Sequence, residues 1–287
     1  MVTIRSYETA VSPILASHFN DLNPTAPLTA RQLDTRLSAW GMAWVIYIDE
    51  APAGYARVAP LPGLAGHYDL DMMIARPWQR QRVGSQLINF LKHELTHSDV
   101  KHLSWGITDS QTGIAQFLHH NGFDIDHKEQ ILARPHLENL PPIPVRPNLH
   151  LATYSRRQAI HLFCKLYEQS FRSHPWYQPY TPDEVAADLI ATTDILFLLD
   201  RKRPLGFAWL HIDKQGEGRV EPIGIVPAGQ GVGNGRFLFL SALHRLKQQH
   251  ARCAIIGAWA TNTAALNLYH SLHFRTSQTI TYYTYLL

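Results

Sequence analysis

The sequence has little cysteine and no long apolar run. Its two cysteines, Cys164 and Cys253, lack the spacing of metal ligands, which excludes a disulfide framework and a thiolate metal site. Although 45% of the residues are hydrophobic, no apolar stretch is long enough for a membrane span. The first residues also contain no apolar signal core. These absences predict a reduced, cytoplasmic protein that binds neither a membrane nor a metal.

The sequence also lacks a strong excess of charge of either sign. Its formal net charge is +3 over 287 residues, and its 17 histidines are scattered along the chain. Nucleic-acid binding usually requires basic residues concentrated on one face. We therefore expect no nucleic acid among the partners, and the length leaves room for two ordinary domains.

The strongest architectural feature is a repeat. The apolar periodicities give the same order of strands and helices in both halves of the chain. Gly84 and Phe123 of the first half correspond to Gly235 and Phe274 of the second at one common offset of 151 residues. Residues 136–148, which are rich in proline, read as a semi-rigid linker. The predicted domains are therefore 1–135 and 149–287, with 136–148 between them.

A glycine-rich stretch, Val226–Arg236, follows an apolar extended run (220–226) and precedes a long helical pattern that starts near Arg236. Its glycines alternate, so the backbone can point several N–H groups at one place. The start of a helix adds unpaired N–H donors and the positive end of its dipole. Strand, glycine loop and helix together predict a cradle for a diphosphate.

Two familiar nucleotide loops do not fit this stretch. The dinucleotide fingerprint needs a third glycine at position six, where Arg236 or Asn234 stands instead. A P-loop needs a lysine after its last glycine, and none follows Gly235. The pattern that does fit is Gln/Arg-x-x-Gly-x-Gly, at Gln230–Gly235.

This pattern resembles motif A of the GNAT family of acetyl-CoA-dependent N-acetyltransferases. The preceding Gly224–Pro227 is similar to the family's fourth strand, and Asn262-x-x-Ala265-x-x-Leu268-Tyr269 is similar to its motif B. The resemblance covers residues 149–287. It implies an α/β (mixed α+β) fold in which a mixed, mostly antiparallel sheet is flanked by helices, twice in tandem.

The first half resembles the same family with an eroded motif. Arg82 replaces the first glycine of the motif in Trp78–Gly84, Gln111 stands for Asn262, and Leu118 stands for Tyr269. The arrangement is similar to two-domain members of the mycothiol synthase type. It implies a degenerate first domain that supports the second or binds coenzyme A without turnover. Arg80 and Arg82 either meet phosphates or only coat the surface.

The resemblance implies roles for two side chains. Tyr269 is the candidate general acid for the departing thiolate, against the alternative of a half-buried tyrosine on a helix face. Glu221 is the candidate general base, against the alternative of an exposed carboxylate beside Pro222. Its apolar strand is expected to raise its pKa. In the first half the equivalent position is Leu70, and the neighbouring acids are Asp69 and Asp71.

The coenzyme site implied by the resemblance needs no metal. Asn262 either binds the pantetheine region or caps its helix, and the two roles are compatible. The predicted acetyl-CoA-binding residues are Ile225, Val226, Gln230, Gly231, Val232, Gly233, Asn234, Gly235, Arg236, Asn262 and Ala265.

The acceptor is expected to meet an aromatic cluster at the start of the second half. Its members are equally consistent with a hydrophobic lid that packs on the core: Phe171, His174, Trp176, Tyr177 and Tyr180. The lack of acidic clustering argues against a polycationic acceptor.

The sequence thus predicts an acetyl-CoA-dependent N-acetyltransferase for a small-molecule amine, with its active site in 149–287, acting as a monomer or homodimer. The alternatives are a catalytically silent acyl-CoA-binding or regulatory protein and a protein or peptide N-acetyltransferase.

Overall fold

The structure is a computed structural model that describes residues 1–174, 177–191 and 194–287. Its contacts divide the chain into two units. Unit 1 contains Met1–Asp126 and Thr281–Leu287, and unit 2 contains His127–Ile280. Within these described ranges, no helix is long and apolar enough to cross a bilayer.

Unit 1 is an antiparallel meander that continues into a parallel strand pair. β1 to β4 pair consecutively as antiparallel neighbours, β4 pairs with β5 in parallel, and the C-terminal part of β12 follows β5. Its elements are β1 (Val2–Ser6), α1 (Ser12–Leu22), α2 (Ala30–Ser38), β2 (Met42–Ile48), β3 (Ala51–Pro60), β4 (His67–Ile74), α3 (Val83–Leu95), β5 (His102–Thr108), α4 (Thr112–His120) and β12 (Arg275–Leu286).

Unit 2 repeats this plan. Its sheet runs from β12 through β6, β11, β10, β9 and β8 to β7; β10 and β11 are parallel, and β7 to β10 are antiparallel neighbours. Its elements are β6 (Asp124–Arg134), β7 (Leu149–Ala152), α5 (Arg156–Phe171), α6 (Pro182–Asp188), β8 (Ile195–Asp200), β9 (Arg203–Ile212), β10 (Glu217–Ile225), α7 (Asn234–Gln248), β11 (Cys253–Trp259) and α8 (Thr263–Ser271).

The predicted fold class, a mixed and mostly antiparallel sheet flanked by helices in each half, is confirmed. The boundaries around the glycine loop need correction. β10 begins at Glu217 instead of Val220, because its first residues pair with β11, and α7 begins at Asn234 instead of Arg236. The domain limits at 135 and 149 stay a prediction.

Local sequence explains where two helices begin. Thr29 and Thr181 each accept a hydrogen bond from the backbone N–H three residues later, and the side chain there bonds back to the threonine N–H. These reciprocal bonds satisfy N–H groups that the first turn of a helix leaves free.

The largest core lies in unit 2. Phe163 of α5, Phe197 of β8, Phe207 of β9 and Phe239 of α7 are all fully buried in it. Unit 1 has two smaller cores, one beneath α3 and one beneath α1 and α2. Each helix therefore buries its apolar stripe on its own sheet, as an amphipathic helix must.

The segment after β6 is held to unit 2 by a buried arginine. The Arg134 guanidinium donates to the carbonyls of His136 (2.9 Å), Asn139 (2.8 Å) and Leu272, and Leu137 packs into the core. Leu272 follows the last turn of α8, where carbonyls lack helical partners and a cation is favourable. Arg134 thus joins the proline-rich segment to the end of α8.

Replacing Arg134 with alanine is expected to lower the free energy of unfolding by about 3 kcal/mol, because buried carbonyls lose their donors. Chemical denaturation monitored by circular dichroism measures the change. Arg157→Ala, an exposed site on α5, is the matched control. A loss below about 1 kcal/mol for Arg134→Ala would contradict the role of this guanidinium.

Candidate active site

The site starts from a gap between two parallel strands. β10 and β11 share backbone pairing over Glu217–Arg219 and Cys253–Ile255, and then β10 continues to Ile225 and β11 to Trp259. Backbone N–H and C=O groups beyond the paired part face a space between the strands. Such groups need partners, and an extended ligand can supply them.

A β-bulge sits where the strands separate. The register between β10 and β9 shifts between Val220 and Ile223, which adds one residue to β10. A bulge bends its strand and redirects a side chain, and bulges are common beside active sites. Glu221 and Pro222 are the residues of this bulge.

The Glu221 carboxylate reaches across to β11. Its Oε1 accepts a hydrogen bond from the Gly257 N–H at 3.2 Å, and Arg219 Nη1 lies 3.9 Å from Oε2. Burial raises the pKa of Glu221, while Arg219 and the Gly257 N–H act in the opposite direction. Although 39% of the side chain is exposed, partial removal of solvent from the carboxylate makes its ionisation less favourable. The expected rise in pKa is therefore present.

Tyr269 lies on α8 and is 5% exposed. Its ring packs on Phe239 at 4.8 Å between centroids. Burial first, and then the negative charge of Glu221, raises the pKa of Tyr269 well above its usual value. Tyr269 therefore keeps its proton at neutral pH, as a general acid must. Its burial is greater than the half-buried alternative predicted.

Asn262 caps α8. Its Oδ1 accepts a hydrogen bond from the Ala265 N–H at 3.2 Å, which confirms the cap interpretation. The pantetheine role of Asn262 and Ala265 stays a prediction.

The glycine loop has the backbone conformation of an anion cradle. Gly231 and Gly233 are left-handed, with φ of +78° and +85°, and a Cβ added to Gly231 would meet open space. Gly233 is the N-cap of α7, so the N–H groups of the first turn point out of the helix unpaired. This terminus carries the positive end of the dipole and suits a phosphate.

Side chains hold the loop in place without filling it. Gln230 Nε2 donates to the Ile225 carbonyl at 2.8 Å, and Asn234 Nδ2 donates to the Gly229 carbonyl at 3.0 Å. Arg236 Nη1 donates to Ser271 Oγ on α8 at 2.8 Å. Val226 lies in the core, whereas Val232 is exposed at the tip. Gln230 and Asn234 therefore shape the loop, in addition to their predicted ligand role.

Sequence reasoning missed an arginine beside this loop. Arg146, in the proline-rich segment, donates from Nη2 to the Val232 carbonyl at 2.6 Å. The same nitrogen lies 2.5 Å from where a Cβ on Gly233 would stand. A guanidinium at the positive end of a helix is unfavourable alone and favourable beside an anion. The sequence offered no motif that would have identified it.

Unit 1 repeats the loop conformation with different residues. Gln79 Nε2 donates to the Ile74 carbonyl at 2.8 Å, as Gln230 does to Ile225. Arg80 and Arg82 are left-handed, with φ of 62° and 64°, where unit 2 has glycine. Both side chains are exposed. The backbone thus keeps the left-handed conformation at both arginines, and this conformation costs about 1–2 kcal/mol per non-glycine residue.

The remaining parts of the unit 1 site are apolar. Leu70 and Leu118, at the positions of Glu221 and Tyr269, are buried in the core. Asp71 instead pairs with Arg36 at 2.8 Å, and Asp69 is a separate strand residue. Unit 1 thus has no acid–base pair at the matching positions.

The predicted acceptor residues divide into two groups. Phe171 and His174 extend toward β10 and β11: Phe171 approaches Gly224, and the His174 ring lies 5.2 Å from Trp259. Tyr177 and Tyr180 instead surround Tyr167, at 5.8 and 4.8 Å. Trp176 lies outside the described residues.

Tyr167 and Trp259 were missed by the sequence reasoning. Tyr167 joins the aromatic cluster to Phe163 of the core at 5.7 Å, so this part of the cluster packs as the lid alternative proposed. Trp259 ends β11 and faces the same side as Gly257, because alternate residues of a strand share a face. Their helical and strand spacing resembles that of ordinary core residues, and nothing distinguished them.

Comparison with known proteins agrees with this architecture. The model of the acetyltransferase (GNAT) family matches the chain twice, over residues 10–123 and 160–274. Similar curated proteins are named mycothiol acetyltransferase. The protein from Thermomonospora curvata is 24% identical over 87% of this chain and 84% of its own, and that from Actinosynnema mirum is 26% identical over 91% and 90%.

Solved structures share the fold. A GCN5-related N-acetyltransferase from Sphaerobacter thermophilus superimposes with a TM-score of 0.75 at 14% identity, over 99% of this chain and 95% of its own. A tandem GNAT protein from the clavulanic acid biosynthesis pathway gives 0.70 at 13% identity, over 100% and 98%. The chain therefore belongs to the acetyltransferase (GNAT) family and is a tandem N-acetyltransferase.

Proposed function

We propose that the chain transfers an acetyl group from acetyl-CoA to the amine of a small molecule, in an active site within unit 2. One observation carries this proposal: Glu221 lies at the bulge where β10 leaves β11, Tyr269 is buried on α8, and the glycine loop follows β10 directly. A proton acceptor, a proton donor and an anion cradle thus belong to one strand–loop–helix unit and the helix beside it.

The residues of the loop fit the diphosphate of coenzyme A. The open space over Gly231, the unpaired N–H groups at the start of α7 and the Arg146 guanidinium all favour a bound anion. The unpaired edges of β10 and β11 suit the amide groups of pantetheine, with Asn262 and Ala265 at the start of α8. The remaining predicted contacts, from Ile225 through Arg236, lie along the same strand and loop.

When bound, acetyl-CoA supplies an activated acetyl group. Glu221 accepts a proton from the acceptor's ammonium, and its raised pKa makes it a stronger base for this step. The amine lone pair then forms the C–N bond as the C–S bond breaks. Tyr269 donates its phenolic proton to the departing sulfur. The second proton of the nitrogen restores the Tyr269 phenol, and Glu221 returns its proton to solvent. One proton is released overall, because the nitrogen loses two and the sulfur takes one.

The acceptor side is proposed to lie beside Phe171, His174 and Trp259. The curated relatives are named for mycothiol, so amines related to mycothiol precursors are the first acceptors to test. Tyr177 and Tyr180 are assigned to the wall behind this space. Trp176, outside the described residues, remains a candidate acceptor contact from the sequence.

Two other functions are distinguished by the same side chains. A silent acyl-CoA-binding protein needs the glycine loop but neither Glu221 nor Tyr269. Unit 1, with Leu70 and Leu118, illustrates the loss of both groups. The pair in unit 2 therefore favours turnover there. Peptide N-acetylation differs only in the acceptor, and an amine and peptide panel assayed by thiol release separates the two.

Tyr269→Phe is expected to lower kcat about 100-fold, because the sulfur loses its proton donor. The dissociation constant of acetyl-CoA, measured by calorimetry, should stay within about twofold. Tyr154→Phe, which packs on Phe197 away from the gap, is the control. Unchanged turnover in Tyr269→Phe would exclude the acid role.

The pH profile of kcat/KM is expected to rise with pH through the pKa of Glu221, because the base works only when deprotonated. The acidic limb should lie above the ordinary carboxyl range, since burial raises this pKa. Arg219→Ala should move the limb to still higher pH, because Arg219 favours the charged carboxylate. If Glu221→Gln leaves the acidic limb of the kcat/KM profile in place, that limb reports the titration of another group.

Gly233→Asp is expected to weaken acetyl-CoA binding by at least about 100-fold. It places a Cβ at φ +85° and a negative charge where the diphosphate binds. Isothermal titration calorimetry measures the loss, with Gly63→Asp at another left-handed glycine, in unit 1, as the control. Full affinity in Gly233→Asp would place the coenzyme elsewhere.

A further inference from the structure

Unit 1 contains a group of buried polar side chains that the proposed reaction does not use. Arg57 of β3 and Asp71 of β4 are register partners, and Tyr55 lies two residues before Arg57. Alternate residues of a strand share a face, so the three side chains lie on one face of the sheet. Tyr55 is 0% exposed and belongs to the core beneath α1 and α2. The group therefore lies between β3, β4 and these helices.

Each of the three side chains has a buried polar atom without a hydrogen bond. Throughout the described part of the chain, no group makes a hydrogen bond of ordinary geometry to Tyr55 Oη, Arg57 Nε or Asp71 Oδ2. Arg57 donates to the Trp40 carbonyl at 3.2 Å, but from Nη2. Asp71 Oδ2 lies 2.8 Å from Arg36 Nη2, in an ion pair that is not aligned as a hydrogen bond. Unpaired buried polar atoms are costly and rarely occur together, so these three indicate a partner from outside the chain.

The fold itself does not require polar side chains at these positions. Tyr55 and Arg57 lie one and three residues after the glycine that pairs with the last residue of β4. In unit 2, Phe207 and Trp209 lie one and three residues after the glycine that pairs with the last residue of β10. Both of these aromatic side chains are buried. Since aromatic side chains suffice in unit 2, the polar pair of unit 1 needs a separate explanation.

The charges around the three atoms balance. Arg36 forms the ion pair with Asp71, and the charge of Arg57 acts on both Asp69 and Asp71. Burial raises the pKa of Asp71, and Arg36 and then Arg57 oppose this rise. Two arginines and two aspartates leave no net charge that would attract an ion. A neutral partner is therefore favoured over a phosphate or a metal ion.

The unpaired atoms match the hydrogen-bonding capacity of one hydroxyl oxygen. Tyr55 Oη and Arg57 Nε are donors, and Asp71 Oδ2 is an acceptor. A hydroxyl has two lone pairs and one hydrogen, so it can accept from both donors and donate to the carboxylate. Water has the same capacity, and a buried water typically makes about three hydrogen bonds to otherwise unpaired groups. Burial first, and then the charge of Asp71, raises the pKa of Tyr55, so its hydroxyl lies near this carboxylate.

We propose that Tyr55, Arg57 and Asp71 bind a hydroxyl oxygen beneath α2, supplied by water or by a small uncharged polyol. The side chains of Arg36 and Asp71 are 42% and 24% exposed, so solvent reaches the site from their side. The bound oxygen joins β3 to β4 at the point where Arg36 attaches α2, and it therefore stabilises the packing of α2 on the sheet. This site lies in unit 1 and does not depend on the proposed active site in unit 2.

A high-resolution crystal structure of the full chain tests the site directly. Crystals are grown without polyols, and a second set is soaked in glycerol. We expect an ordered oxygen within about 3.2 Å of at least two of the three atoms. A water that persists after the soak assigns the site to water, and glycerol in its place assigns it to a hydroxylated ligand. No oxygen at the site, or Tyr55 Oη donating directly to Asp71, overturns the proposal.

The stability of Tyr55→Phe gives a second test, measured by chemical denaturation monitored by circular dichroism. If the oxygen is bound, the variant removes one of its donors, and the equilibrium constant for unfolding should rise about fivefold. If nothing is bound, the same change removes a buried unpaired hydroxyl, and stability should stay the same or increase. That second result would contradict the proposal.

Tyr47→Phe is the matched control for this measurement. Its ring packs on the same core, but the side chain is only partly buried and its oxygen is not among the buried unpaired atoms. The variant should therefore match the wild type. A direct bond from Tyr55 to Asp71 would also destabilise Tyr55→Phe, and the crystal structure separates that case from a bound oxygen.

Discussion

The separation of β10 from β11 is the constraint on which the site depends. Two parallel strands that stayed paired to their ends would satisfy their backbone groups and leave no space between them. Here the bulge at Glu221 and Pro222 ends the regular register of β10, and the Gly257 N–H is satisfied by a side chain instead of a strand. The interruption of the ladder therefore both opens the gap and supplies it with a carboxylate.

The bulge also determines the electrostatics. Val220 is buried and Ile223 is partly buried, so the Glu221 carboxylate is only partly hydrated and its pKa is raised. Tyr269, buried on α8, is kept neutral by the same surroundings and by the charge of Glu221. The Glu221 carboxylate thus influences both of the proposed proton-transfer groups, and a change in its environment is expected to affect both.

The sequence was sufficient for the fold class, because apolar periodicity and capping residues such as Thr29 and Thr181 depend on local chemistry. It was also sufficient for the glycine loop, because glycine is the residue that most readily adopts left-handed backbone. It could not predict Arg146. The position of this residue depends on the path of an irregular segment, which has no sequence pattern. Tyr167 and Trp259 were not predicted for a related reason. A residue beside a site and a residue in a core have the same spacing along a helix or strand.

The two halves separate loop conformation from function. Gln79 makes the same backbone bond as Gln230, and Arg80 and Arg82 keep the left-handed conformation of Gly231 and Gly233. The loop backbone therefore does not by itself distinguish the halves. What differs is the side chains: arginine stands where the other loop has glycine, and leucines stand at the proposed acid and base positions. The two units thus differ in side-chain chemistry while they share the loop backbone, because that backbone is fixed by a sheet and a helix that the fold requires in both.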